Sequence, residues 1–498
     1  MTLKSVAAKL YARVVYKQIQ RDASRAVECQ EAVRRTLLNA ASQTAFGKDF
    51  RFSDVRDYTE WKQSMPIMEY EELTSYIERA KAGERDVLWP GKPKYFCKTS
   101  GTTSGTKYIP LTTDSLPNHI GTARNALLSY IAETGHSEFT SGKMIFLQGS
   151  PKMDLLPSGI PYGRLSGIVA NHVPAYLQKN RMPSYETNCI EDWEEKVNRI
   201  ADETLRERMT LISGIPNWVQ MYFEVLLKKS GKQTIREVFP DFDLFVYGGV
   251  NFEPYRARFE QLIGKRIPII ELYPASEGFL AFQDSQEAEG LLLNVNSGIF
   301  FEFVPTDEYF TERPSRLSLH DVQIGVNYAL VLSNNAGLWS YSIGDTVKFT
   351  SLNPPRIKVT GRIKHFTSAF GEHVIAEEVE GAMIEVCSTL NIQVNEFHVA
   401  PMVAPDSGLP FHEWLIECDS ELGEDKCQQM ASMLDSSMQQ RNIYYRDLIQ
   451  GSVLRPAVLT FVRKGAFNDY MRSVGKLGGQ NKVPRLANDR AIAERLSS

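Results

Sequence analysis

The chain has 498 residues, too many for one ordinary core, so two or three folded units are expected. It is 43% hydrophobic, 23% charged and 10% aromatic, a globular composition and not a disordered one. With 56 Lys and Arg against 60 Asp and Glu the net charge is -4, which speaks against nucleic acid as a partner, since a surface that neutralises many phosphates is basic.

No apolar run approaches the roughly 20 residues that span a bilayer, so no membrane partner is expected. The first 25 residues are charged throughout and lack a signal-peptide core and cleavage site. They read as an amphipathic helix with Val6, Leu10, Val14 and Tyr16 on or near one face. Cys29, Cys97, Cys189, Cys387, Cys418 and Cys427 are widely spread, with no CxxC pair and no histidine cluster. Reduced thiols in a cytoplasmic protein fit that spacing best.

Residues 1–90 read as mostly helical, with turns near Pro66 and Pro90. An extended piece, Lys94 to Lys98, leads into a Gly/Ser/Thr-rich loop at 99–106, and a second extended piece runs from Lys107 to Leu111. Asp114 or Ser115 is placed to cap the helix that follows. From about 143 to 278, apolar runs (Met144–Leu147, Leu211–Ile212, Leu244–Tyr247, Ile267–Leu272) alternate with helical stretches (191–208, 217–230, 254–264). That alternation predicts an α/β unit with a largely parallel sheet, whose ligands sit at the carboxyl ends of strands. From about 290 to 360 the chain turns β-rich, with turn signals at Asn296-Ser297-Gly298 and Asn334-Asn335-Ala336-Gly337. Beyond lies an αββαβ pattern: helix 374–388, strands near 394–403 and 411–418, helix 423–440, strand 456–463. The expected organisation is a large N-terminal domain (1–358) with mostly parallel sheets and a β-rich subdomain, a hinge (359–366), and a small mobile α+β C-terminal domain (367–498).

Six segments carry chemistry. Thr99-Ser100-Gly101-Thr102-Thr103-Ser104-Gly105-Thr106-Lys107 combines two glycines, six hydroxyls and a cation, which suits a cradle for ATP phosphates. It reads equally as a plain hairpin loop, and it is not a Walker A loop, because GxxxxGK[ST] is absent. Gly248-Gly249-Val250-Asn251 falls at a strand end. So does Glu271-Leu272-Tyr273-Pro274-Ala275-Ser276-Glu277-Gly278, where a carboxylate suits Mg²⁺ shared with phosphate oxygens and an aromatic suits stacking on a base. Tyr341-Ser342-Ile343-Gly344-Asp345 sets a carboxylate at a turn, where it can accept both hydroxyls of a ribose. Last come Thr360-Gly361-Arg362-Ile363-Lys364-His365-Phe366 and Gly478-Gly479-Gln480-Asn481-Lys482-Val483-Pro484-Arg485, the latter a lysine on a Gly-rich stretch. Each alone has a blander reading as a turn, a cap or a solvated cation.

In this order and spacing the set resembles the adenylate-forming superfamily of acyl-CoA synthetases, adenylation domains and luciferases. Within it the chain is most similar to the acyl-acid amido synthetases of the plant auxin-responsive (Gretchen Hagen) family and their bacterial relatives. The YPASE form, the run AGLWSYSIGDTVKFT and QNKVPR carry that likeness, which covers residues 30 to 490 or so. The resemblance implies a ligase that uses ATP and Mg²⁺ to adenylate a small carboxylic acid and passes the acyl group to an amine, an amino acid above all. It implies roles as well. Thr99, Ser100, Gly101, Thr102, Thr103, Ser104, Gly105 and Lys107 would hold the β- and γ-phosphates. Gly249, Val250 and Asn251 would flank the adenine, with Tyr273 against it. Glu277 would hold Mg²⁺, Asp345 the ribose, with Arg362 near it. Lys364 would sit at the hinge, and Lys482 would contact the reacting carboxylate and the α-phosphate.

Two departures bear on the acceptor. The GRxK hinge pattern is clearer here than in plant relatives and looks more like an acyl-CoA synthetase, and His365 stands where the superfamily often has an acid. A CoA or carrier-protein ligase and a non-catalytic nucleotide-binding relative are therefore the alternative readings.

Overall fold

The computed structural model describes residues 3–102, 105–172, 179–249, 252–363, 366–367, 369–372, 374–392, 394–418, 422–474 and 483–497. An 11-stranded sheet forms its centre. Its strand order is Ile299–Pro305, Asn327–Asn334, Tyr341–Leu352, Pro355–Arg362, Leu291–Leu293, Gly278–Phe282, Ile269–Ala275, Leu244–Gly248, Met209–Ser213, Lys143–Phe146, Arg181–Met182. From Ile269–Ala275 to Arg181–Met182 the pairing is parallel; from Ile299–Pro305 to Gly278–Phe282 and on to Ile269–Ala275 it is antiparallel.

The parallel half follows from the sequence. Short apolar strands, buried on both faces, are linked by the helices Trp193–Thr204, Pro216–Ser230 and Glu253–Ile263. The β-rich stretch is the other half of the same sheet and not a separate layer. Its turns fall where the signals stand, with Gly298 at φ +80° and Gly337 at φ +94°, a backbone region that glycine enters without steric cost. One helix, Ala26–Ala41, covers this half and pins its edge: the buried Gln30 amide donates to Val295 and Ile299 carbonyls and accepts from the Phe301 amide.

Three local expectations are corrected. The first helix exists (Leu3–Ser24), but Val6, Leu10 and Val14 are exposed and its packed face is Ala8, Ala12, Val15, Ile19 and Ala23. The small residues face inward because they let this helix lie close to the helix Leu116–Thr134; with larger side chains it would have to stand off. Neither Asp114 nor Ser115 caps Leu116–Thr134 in the ordinary way: Asp114 accepts from Trp89 Nε1, and the Ser115 hydroxyl accepts from the Thr112 amide. Finally, 99–106 is not a free loop, because strands Tyr95–Thr102 and Gly105–Leu111 run through most of it within a separate 4-stranded sheet.

Toward the C-terminus the expected order of elements is found: Ala376–Leu390, Val394–Met402, Phe411–Cys418, Glu424–Arg441 and Val458–Phe461, with the three strands in one sheet. A further helix, Ile443–Gln450, begins at Asn442, whose side chain accepts from the Tyr445 amide. That cap restarts a helix one residue after the previous one ends, in a stretch where no element was expected.

Candidate functional site

The Gly/hydroxyl segment is the tip of an antiparallel hairpin. Thr99 pairs with Lys107 and Thr102 with Gly105, and the register slips between Thr99 and Thr102. Such a bulge bends the strand and turns backbone groups out of the ladder. Thr103 and Ser104 lie outside the described residues; Ser100, Gly101, Thr102 and Gly105 enter only through their backbone. Lys107 is half-buried, its Nζ donating to the Tyr341 hydroxyl at 3.2 Å and lying 5.5 Å from the Tyr70 ring centre and 5.8 Å from that of Tyr341. Two aromatic faces and a hydroxyl hold the ammonium in place. Burial pushes the Tyr70 phenol up to about 12, so it is neutral when it accepts from the Tyr108 amide at 2.9 Å.

Tyr341 opens the strand that carries Asp345. Along it Ser342 pairs with Val331 and Thr346 with Ala329, so residues 343 to 345 bulge, with Gly344 at φ +79°. The bulge takes Asp345 out of the ladder with Asn327–Asn334, and its Oδ2 accepts from the Tyr273 hydroxyl at 2.6 Å. The Gly344 carbonyl accepts from the Ile363 amide at 2.8 Å, and Asp345 stands in register with Arg362. The proposed hinge strand therefore ends against the ribose motif.

Just before Tyr341, Ser340 takes φ +41°, a strained value for a residue with a Cβ. A buried network holds it. Glu302 accepts from the Ser340 hydroxyl at 2.9 Å and from Trp61 Nε1 at 3.2 Å, and Arg316 donates to Glu302 at 2.6 Å and to Ser340 Oγ at 2.7 Å.

Glu277 lies in the tight turn between Ile269–Ala275 and Gly278–Phe282, and its carbonyl accepts from Asn334 Nδ2 at 2.6 Å. The wholly buried Cys97, two residues before Thr99, is its neighbour. Burial raises the Cys97 thiol, the Glu277 carboxylate raises it further, and a hydrogen bond from Ser276 opposes both. Gly249 follows the strand Leu244–Gly248 at φ +83°, and a Cβ on Gly248 would stand 2.5 Å from the Leu272 carbonyl oxygen. Val250, Asn251, Lys364 and Lys482 lie outside the described residues, and Arg362 enters only through its backbone.

The contacts link these segments: Tyr273, four residues before Glu277, bonds Asp345; Tyr341, four residues before Asp345, bonds Lys107; and Lys107 pairs with Thr99, two residues on from Cys97. Three segments far apart in sequence are thus brought together. Tyr70, Ser340, Asn334 and the Glu302–Arg316 pair were not singled out from sequence. Asn334 belongs to a turn signal and Ser340 to the run AGLWSYSIGDTVKFT, so both were legible in part; Tyr70, Glu302 and Arg316 carry no mark of their role in the sequence.

The fold that carries this site is that of the adenylate-forming enzymes. It aligns with a 2-hydroxyisobutyryl-CoA ligase in its thioesterification state at a TM-score of 0.56 and 13% identity, over 98% of this chain and 91% of the other. The chain belongs to the GH3 family: it matches the GH3 family N-terminal domain at 15–191 and 163–269, the central domain at 292–362 and the C-terminal domain at 377–491. Indole-3-acetic acid-amido synthetase GH3.3 of Arabidopsis thaliana is 21% identical, over 94% of this chain and 91% of its own length. Jasmonoyl–L-amino acid synthetase JAR4 of Nicotiana attenuata is 22% identical, over 92% and 90%. The structure of the acyl acid amido synthetase AtGH3.15 in complex with 2,4-DB superposes at a TM-score of 0.63 and 17% identity, over 97% of this chain and 95% of that one.

Proposed function

We propose that this protein is an ATP-dependent acyl-acid amido synthetase: it adenylates a small carboxylic acid and transfers the acyl group to an amine, an amino acid being the acceptor class. The observation that carries this reading is the pair of contacts that joins Lys107 to Tyr341 and Asp345 to Tyr273, with Glu277 in the turn just after the strand of Tyr273. Family membership and the amido synthetases among its relatives support it.

In the first half-reaction a carboxylate oxygen attacks the α-phosphorus of ATP, and the bond to the β-phosphate oxygen breaks with pyrophosphate leaving. Residues Thr99 to Gly105 and Lys107 hold the β- and γ-phosphates, Asp345 the ribose, and Gly249 to Asn251 with Tyr273 the adenine, with Arg362 beside the ribose. Lys482 stabilises the charge that grows between carboxylate and α-phosphate. No group of three or more His, Cys, Asp or Glu suited to a metal occurs among the described residues. Glu277 alone therefore fits Mg²⁺ that arrives with the nucleotide, because Mg²⁺ takes one or two carboxylates and fills its shell with phosphates and water. When bound, that ion would neutralise phosphate charge.

In the second half-reaction the amine nitrogen attacks the acyl carbon, the C–O bond to phosphate breaks, AMP leaves with the electron pair and the ammonium proton passes to solvent. Residues 1–358 form the large domain and 367–498 the small one, which turns about Lys364 within the hinge 359–366 between the steps. A cytoplasmic setting suits the reduced cysteines. No helix among the described residues is long and apolar enough to cross a membrane.

The test is pyrophosphate release from ATP and Mg²⁺ across a panel of carboxylic acids, with and without amino acids. Release that needs one acid and rises with one amino acid is the expected result, and Lys482→Ala should nearly abolish it while the fold stays intact. Wild-type rates in that variant would sink the assignment. Stimulation by CoA in place of amino acids would move the acceptor to a thiol.

A further inference from the structure

The strand Pro161–Gly163 pairs with Tyr95–Thr102 only as far as Gly163 opposite Cys97. At that point the next residue, Arg164, turns away, and the next carbonyl of the partner strand, Lys98, is met by the C-terminal region. The Tyr444 hydroxyl donates to Lys98 O at 3.3 Å. Arg164 pairs with Asp447, and its guanidinium lies 5.3 Å from the centre of the Tyr444 ring. Tyr444 and Asp447 are three residues apart on the helix Ile443–Gln450 and so project from one face. Past the end of that helix the backbone again lies close to the large domain: a Cβ on Gly451 would stand 2.7 Å from Cβ of Trp193.

The Lys98 carbonyl is one residue before the Thr99 to Lys107 hairpin. The helix Ile443–Gln450 is therefore docked at the root of the proposed phosphate cradle. The residues just after Lys482 are fixed elsewhere: the Arg485 carbonyl accepts from the Val399 amide, the Ala487 amide donates to the Val399 carbonyl, and His398 Nδ1 meets the Pro484 carbonyl at 2.6 Å. This docking runs through Tyr444 and Asp447 and uses polar contacts. Arg164 and Asp447 are each about a third exposed, 37% and 34%. Ion pairs of that exposure contribute little each, so such a contact can form and break within a catalytic cycle.

We infer that Tyr444 and Asp447 are positioning residues for acyl transfer: they grip the Lys98 carbonyl and Arg164, and so fix the C-terminal domain against the nucleotide hairpin in the second half-reaction. The inference rests on the function proposed above. ATP must enter with three phosphates, and pyrophosphate must leave past the same hairpin. A helix docked at its root suits the step in which no triphosphate is held. Neither residue touches a reacting atom; both act through the placement of the domain that carries them.

The experiment separates the two half-reactions in full-length protein. Pyrophosphate release without amine reads adenylation, and amide formation from pre-formed acyl-adenylate reads transfer. Asp447→Asn and Tyr444→Phe should leave adenylation and the KM for ATP unchanged while transfer falls about tenfold, the scale expected for a small misplacement. Exchanging the charges, Arg164→Asp with Asp447→Arg, should restore transfer. Equal loss in both half-reactions, or no loss in either, overturns the inference while the wild type still ligates. A wild type that makes no adenylate with any acid overturns the functional reading itself, and this inference with it.

Discussion

The hydroxyl of Tyr273 donates to Asp345 at 2.6 Å although three strands separate theirs in the sheet order. On a flat sheet those strands would stand about 19 Å apart, at about 4.8 Å per step, too far for a tyrosine and an aspartate to meet. The sheet must therefore curl, and register shifts between Phe279 and Ala281, Thr346 and Val347, and Phe349 and Ser351 supply the bends. The curl brings the strand end expected at the base together with the one expected at the ribose.

Removing that link should loosen nucleotide binding. Tyr273→Phe deletes one hydrogen bond to a carboxylate and should raise the Kd for ATP about fivefold. Asp345→Asn should raise it about tenfold or more, because it weakens the proposed ribose contacts as well. Calorimetric titration with ATP measures both; equal affinities in the two variants and wild type would contradict the site.

Lys107→Met should lower adenylation about tenfold at low ATP, since it removes a held cation from the phosphate hairpin. Tyr341→Phe removes only the hydroxyl that Lys107 bonds at 3.2 Å and should cost less. The order of the two effects in initial rates, lysine above tyrosine, is the check.

Arg316→Met should destabilise the fold by about 3 kcal/mol, because it leaves Glu302 buried with its charge partner gone. The loss should spread to the site, since Ser340 at φ +41° depends on the same network. Urea unfolding gives the first quantity and the KM for ATP the second. A full loss of stability with an unchanged KM would separate the network from the site.

His119 predicts a pH effect on stability. It is buried on Leu116–Thr134, and burial lowers it from 6.5 to about 4. The unfolded chain then takes up a proton below about 6.5 that the folded chain refuses, so stability falls as pH drops from there toward 4. From pH 7 to 5 this group alone removes about 2 kcal/mol. His119→Leu should lose correspondingly less than wild type in urea unfolding over that interval; parallel losses would contradict it.

Local chemistry made much of this protein legible. Apolar runs between helices gave the parallel strands, and Gly298 and Gly337 marked turns that need positive φ, whereas Gly344-Asp345, expected at a turn, is a bulge within the strand Tyr341–Leu352. The motif order alone pointed to the family that the chain belongs to. These are short-range features, set by residues within a few positions of each other.

The rest depends on contacts between residues far apart in sequence, and only the tertiary structure decided it. Which face of Leu3–Ser24 packs was settled by the close approach of another helix, which favoured Ala8, Ala12 and Ala23 over the larger Val6, Leu10 and Val14. The α/β and β-rich stretches became one curled sheet, and that curl set Tyr273 against Asp345. Tyr444 met Lys98 across 346 positions. A sequence pattern records the period and the turn of each element, but not which distant surface it will bury, because that is fixed by the packing of all the elements at once.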